Sequence, residues 1–156
     1  MIYVCYLCTK IQENMKKALF ISALILFGFS LGFAQTSDKP FKGRFENDEY
    51  KVYLVLNLYD QNVKVPGQDL YGELPGYLGK RNNSFCWLIT GAKVKSSAKA
   101  TINLINEYGS EDLEATLTLQ GDSLLTLKQG EGSDIKVPNK GKWQKLPSTL
   151  IFKRKK

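Results

Sequence analysis

The amino-acid sequence predicts an all-β fold: a single antiparallel meander of about eight strands forming a small barrel, with a β-sandwich as the alternative closure. Three observations carry that expectation. Residues 50–59 alternate with a period of two, so Tyr50, Val52, Leu54, Leu56 and Leu58 share one apolar face while Lys51, Tyr53, Val55, Asn57 and Tyr59 share the other. Several later segments repeat the alternation between turn signals. Beyond residue 34 no helical 3.6-residue period lasts three turns.

Each element has its own justification. Phe41, Gly43 and Phe45 open the alternation, and Asn47-Asp48 turns the chain into the 50–59 strand. Residues 59–62 are a second turn, followed by the short Val63-Lys64-Val65 and the breaker Pro66-Gly67. Residues 70–79 predict a strongly bent or edge strand, with Leu70, Leu74 and Leu78 on one face, because glycine bends a strand and Pro75 cannot donate to a ladder. After a turn at residues 80–83 comes a strand over 85–89, with Phe85, Trp87 and Ile89 on one face and Cys86 and Leu88 on the other. Residues 91–99 predict an exposed loop or strand extension, and 100–106 alternate again before an acidic turn at 108–112. Leu113, Ala115, Leu117 and Leu119 then run to Gly121-Asp122 and return through Leu125 and Leu127, the clearest hairpin of the chain. Residues 130–141 are rich in glycine and polar residues and contain Pro138, and after them come Trp143 and the closing strand Leu150-Ile151-Phe152.

Sequential short turns favour an up-and-down order, and pairing first strand to last removes the exposed edges along which sheets aggregate. Eight strands leave an interior just wide enough to be filled by side chains or to hold one small ligand. The opening Gly43-Arg44-Phe45, the meander and Gly141-Lys142-Trp143 ahead of a final strand resemble the small calycin-type barrels, the lipocalin and avidin class. That resemblance is architectural, spans roughly residues 41–154 and implies no binding residue. Lipocalins typically carry Gly-x-Trp in the first strand, where this chain has Phe45.

The organisation before residue 41 predicts export. Met15-Lys16-Lys17, an apolar run over 18–33 broken only by small residues, and an abrupt polar shift after Ala34 together predict a signal peptide over 15–34, a signal helix cut between Ala34 and Gln35. An uncleaved anchor is the alternative, and the membrane enters only in that case. Residues 1–14 fit no part of a leader and are expected to be an upstream extension from a mis-assigned start, residues 35–40 a linker, and 41–156 the barrel domain with a basic tail at 153–156. The expected location is periplasmic or secreted.

Removal of Lys10, Glu13, Lys16 and Lys17 with the leader brings the net charge from +7 to +5, which favours anionic partners by long-range attraction without being a nucleic-acid signature. Cys5 and Cys8 leave with the same segment, and Cys86 remains without a disulfide partner. The chain has no histidine, which excludes Ser-His-Asp and Cys-His catalysis and imidazole-based metal sites. Cys86, among apolar neighbours and with no base, is expected to be a buried packing residue. Glu73, Glu107, Glu111, Asp112 and Glu114 could supply paired carboxylates to a hydrolase, or oxygens to calcium over residues 107–114, but a solvated acidic turn is the simpler account. Asn82-Asn83-Ser84 matches a glycosylation sequon, relevant only in a eukaryotic secretory route.

Aromatic side chains are the remaining signal. Tyr53, Tyr59, Tyr71, Tyr77 and Trp87 are the candidate ligand-binding residues, with core packing as the ordinary role for Trp87 and Phe85. The expectation is therefore a non-enzymatic barrel without metal or cofactor, binding a small apolar ligand inside or a protein on its rim. The alternative is an inhibitor or interaction protein acting on an extracytoplasmic enzyme or an anionic envelope component. A carboxylate-dependent hydrolase stands third.

Overall fold

The computed structural model describes residues 39–155, so the leader, its Ala34/Gln35 cut, most of the 35–40 linker and the upstream extension lie outside the described residues. In chain order the strands are β1 (Lys42–Asn47), β2 (Val52–Asn57), β3 (Val63–Lys64), β4 (Glu73–Leu74), β5 (Gly76–Lys80), β6 (Cys86–Val94), β7 (Lys99–Asn106), β8 (Asp112–Gln120), β9 (Leu124–Gly132), β10 (Lys136–Asn139), β11 (Lys142–Lys145) and β12 (Thr149–Arg154). Eight of them form a closed antiparallel barrel in the order β1-β12-β9-β8-β7-β6-β5-β2. The fold is all-β, and the closure is a barrel rather than a sandwich. A single 3-10 turn at Asp69–Tyr71 is the only helical element among the described residues.

The 50–59 segment organises the barrel as its period predicts. Val52, Leu54, Leu56 and Leu58 are buried in the interior, while β2 itself is shorter than the apolar run because Lys51 takes a left-handed φ of 55° in the turn before it. β2 pairs with β1 from Lys42↔Asn57 to Asn47↔Val52, and with β5 from Val52↔Lys80 to Leu56↔Gly76. A Cβ at Gly76 would collide with the Val55 carbonyl oxygen, so glycine is what lets these two backbones approach. Strands β7 and β8 alternate inward and outward almost without exception, and a bulge between Ile89 and Gly91 carries β6 on through Val94. The interior is filled by side chains, including Phe45, Leu54, Leu78, Trp87, Leu104 and Phe152.

Three barrel strands end on a buried asparagine that builds the next turn. Asn47, Asn57 and Asn106 each accept a backbone N–H from three or four residues ahead, at 2.8, 3.2 and 3.0 Å. Their amide nitrogens donate respectively to the Ile151 carbonyl, to Asp60 and Asn62, and to Ser110 and Glu111. Such side chains satisfy polar groups that would otherwise be orphaned where a ladder stops.

Two excursions interrupt the meander, and the first corrects the expectation from sequence. Residues 70–79 are not one bent strand. Leu70 lies in the 3-10 turn and is 96% exposed, Leu74 packs on the outside of the wall, and Leu78 alone points inward. With β3, this segment forms a flap. Val63, Val65 and Leu74 cover a second apolar cluster made by Tyr53, Val55, Tyr77, Cys86, Leu88 and Ile105 on the outer face of the wall. The glycine-rich 130–141 segment, for which the sequence predicts no strand, carries regular structure: β9 runs to Gly132, and β10 and β11 form a hairpin whose turn residues Lys140 and Gly141 have φ of 51° and 76°. Ile135, Val137 and Leu146 bury themselves in the main core from this hairpin, which acts as a lid over one end of the barrel.

The other end is closed by a residue expected in the basic tail. Arg154 ends β12, where its guanidinium donates to the carbonyls of Asp122, Lys42 and Pro40, each at 2.6 Å, and lies 4.4 Å from the centroid of the Phe45 ring. β1 and β12 share only the pairs Phe45↔Arg154 and Glu46↔Lys153, so this clamp reinforces the shortest ladder of the barrel. Lys80, expected in a turn, instead ends β5 as a buried residue whose ammonium donates to the Tyr50 carbonyl at 2.6 Å. Burial lowers its pKa, with Lys51 adding to the effect.

Candidate functional site

The five aromatic candidates do not converge on one site. Trp87 is fully buried in the interior, and its indole N–H donates to the Lys136 carbonyl at 2.9 Å, tying the lid hairpin to β6. Tyr59 packs against the core at the opposite end, with its hydroxyl accepting the Phe41 N–H at 3.5 Å. Tyr71 is exposed on the flap. Tyr53 and Tyr77 alone come together, edge to face with ring centroids 5.9 Å apart, on the outer wall.

Those two rings line a cleft of about 250 Å³ between the flap and the wall, together with Val65, Pro66, Gly67, Gly79, Phe85 and Cys86. Tyr53 leans across β5 because Gly79 is opposite it, and a Cβ at that position would lie 2.5 Å from the Tyr53 ring. Arg44 caps the other side of the Tyr53 ring, 3.8 Å from its centroid. Burial pushes the Tyr77 phenol up to about 12, so it stays protonated at neutral pH.

Cys86 is buried beside the same cleft. Burial pushes its thiol up to about 11, with the Glu107 carboxylate 3.9 Å away adding to the effect. A pKa raised above the ordinary 9.0 gives a stability contribution that is complete below that value and is lost as pH rises through about 11. Iodoacetamide at neutral pH is therefore expected to leave Cys86 unmodified in the folded chain and to alkylate it fully in denaturant, read by peptide mapping. Equal labelling in both states would contradict a protonated, buried thiol.

A second cluster stands at the lid end, and sequence reasoning missed most of it. Trp143 on β11 is 56% exposed and Tyr108 in the β7–β8 connection is 68% exposed. Both rest on Phe85, whose ring centroid lies 4.9 Å from that of Trp143 and 5.9 Å from that of Tyr108. Between them is a cleft of about 200 Å³ that also takes in Asn106, Ser110, Glu111 and Lys136. Lys136 and Glu111 form an ion pair at 2.6 Å across it, and that pairing raises the Lys136 pKa. Trp143 carried a signal in the Gly141-Lys142-Trp143 motif, whereas Tyr108 reads only as part of an acidic turn.

The acidic residues are dispersed. Glu111 is engaged by Lys136, Glu107 lies between Cys86 and Gln68, and Glu73, Asp112 and Glu114 are exposed on their strands. Among the described residues no three metal-ligating side chains come together. Asn82 of the sequon occupies an exposed turn with φ of 58°. Comparison with protein-family models, with curated proteins and with solved structures finds no match in any of the three. The functional reading therefore rests on the geometry of this chain.

Proposed function

We propose that this chain is a non-enzymatic β-barrel protein, exported to the periplasm or secreted by way of its leader, that binds a protein partner on its lid-end rim. The observation that carries the reading is the exposure of Trp143 and Tyr108 on the rigid support of Phe85. Burying such rings in water-free contact is among the largest gains an interface can make, and aromatic anchors dominate measured hot spots. Support comes from below, since Phe85 is buried and the indole of Trp87 holds the hairpin that presents Trp143. The interior, filled by Phe45, Leu54 and their neighbours, leaves the outer surface as the place where a partner meets this protein.

Photo-crosslinking from residue 142 in the native envelope, followed by mass spectrometry, tests the proposal. Trp143→Ala is expected to weaken capture of the crosslinked partner by at least about tenfold, with only a small fall in melting temperature, since the half-exposed ring gives up one edge-to-face contact with Phe85. Undiminished capture by Trp143→Ala combined with Tyr108→Ala would overturn it.

A further inference from the structure

We infer that the outer cleft beneath the flap is a separate binding site for a small, neutral aromatic molecule of about two fused rings. None of the ten residues that line it, Tyr53, Val65, Gly79 and Phe85 among them, carries a formal charge, in a chain whose residues are 24% charged. Charge stays at the margins. Arg44 lies on the Tyr53 ring and Glu107 stands against Cys86, but neither is part of the lining. An ionised ligand entering there would lose hydration without gaining a partner, whereas a neutral ring loses little.

The shape is built into the fold. Three aromatic rings, Tyr53, Tyr77 and Phe85, supply walls that suit a flat apolar guest, and the Tyr53 hydroxyl lies over Gly79 at the floor. Pro66-Gly67 of the flap closes over the cleft opposite the wall. Asn83 and Ser84 at the mouth provide polar groups for one polar end of the guest. Size follows from volume. An apolar hole of about 150 Å³ holds one benzene ring, so the 250 Å³ available here suits an indole or a naphthol.

This cleft lies on the outer wall and the rim at the lid end, and Phe85 is the one residue that lines both. Titration of the exported chain with indole by calorimetry and amide NMR tests it. One-to-one binding with a Kd on the order of 0.1 mM is expected, with shifts concentrated at Gly79, Ser84 and Cys86. Indole-3-carboxylate and protonated tryptamine are expected to bind at least about tenfold more weakly for want of an ionic partner. Ser84→Phe, at an exposed position, should fill the mouth and abolish binding without lowering the melting temperature, whereas Trp143→Ala should leave it intact. Absence of saturable binding, equal affinity for the charged analogues, or loss in Trp143→Ala with retention in Ser84→Phe would overturn the assignment. The last pattern would place aromatic binding on the rim.

Discussion

Replacing Arg154 by methionine is expected to destabilise the barrel by about 3 kcal/mol. Methionine keeps much of the apolar stem but removes three donors that hold the carbonyls of Pro40, Lys42 and Asp122, each at 2.6 Å. Bonds from a charged donor contribute about 1.5–3 kcal/mol each, and three sharing one group do not add in full. Loss of the contact with Phe45 adds a fraction more. Because the partners are carbonyls rather than carboxylates, added salt should weaken this contribution little. Lys155→Met is the control. Its ammonium is exposed and meets Glu46 at 3.4 Å, so the change should stay within about 0.5 kcal/mol. Urea unfolding of both variants reads the difference. If Arg154→Met matches the parent chain, the guanidinium clamp is not what holds the β1–β12 seam.

Trp87→Phe is expected to cost a similar amount, about 3 kcal/mol, by another route. The smaller ring leaves a void in a packed interior and orphans the Lys136 carbonyl that the indole N–H now reaches at 2.9 Å. The damage should not be uniform. A two-stranded hairpin is marginal alone, so β10 and β11 depend on their anchors: Ile135, Val137 and Leu146 in the core, the Trp87 bond, and Gln129, which receives the Ile135 N–H and donates to the Pro147 carbonyl. Amide exchange is therefore expected to accelerate in residues 136–145 more than in β7 or β8. A uniform loss of protection would show that the lid opens only with the whole barrel. Trp143 rides on this hairpin, so the variant should also weaken the proposed partner contact at the rim without touching its surface.

How far the residues could be read in advance depended on whether the relevant signal was local. The inward set Val52, Leu54, Leu56 and Leu58, the hairpin that turns at Gly121-Asp122, and the opposite faces of Trp87 and Cys86 were all legible, because strand geometry sends successive side chains to opposite sides whatever lies far away. The flap was not legible, although its trace was present. Tyr53, Val55, Cys86 and Leu88 made the second face of two strands apolar, which calls for a cover, but nothing local identified Val63, Val65 and Leu74 as that cover. Arg154 misled for a related reason: a run of basic residues at a chain end resembles a solvated tail until three carbonyls from distant segments surround one of them.

The candidate site divides in the same way. Tyr53 and Tyr77 were singled out and do meet, whereas Tyr59, Tyr71 and Trp87 fell at an end, on the flap and in the interior. Tyr108 became interesting only when the β7–β8 connection and the lid hairpin arrived beside Phe85.

The amino-acid order by itself determined the class of fold, the strands that face inward and the chemistry that the absence of histidine rules out, because alternation and residue type act at the range of a few bonds. Tertiary structure alone decided which outer face is covered, what seals each end of the barrel and which aromatic rings share a cleft. Those outcomes depend on contacts between segments up to 114 residues apart, such as Pro40 and Arg154, and their free energy exists only once the ring of strands has closed.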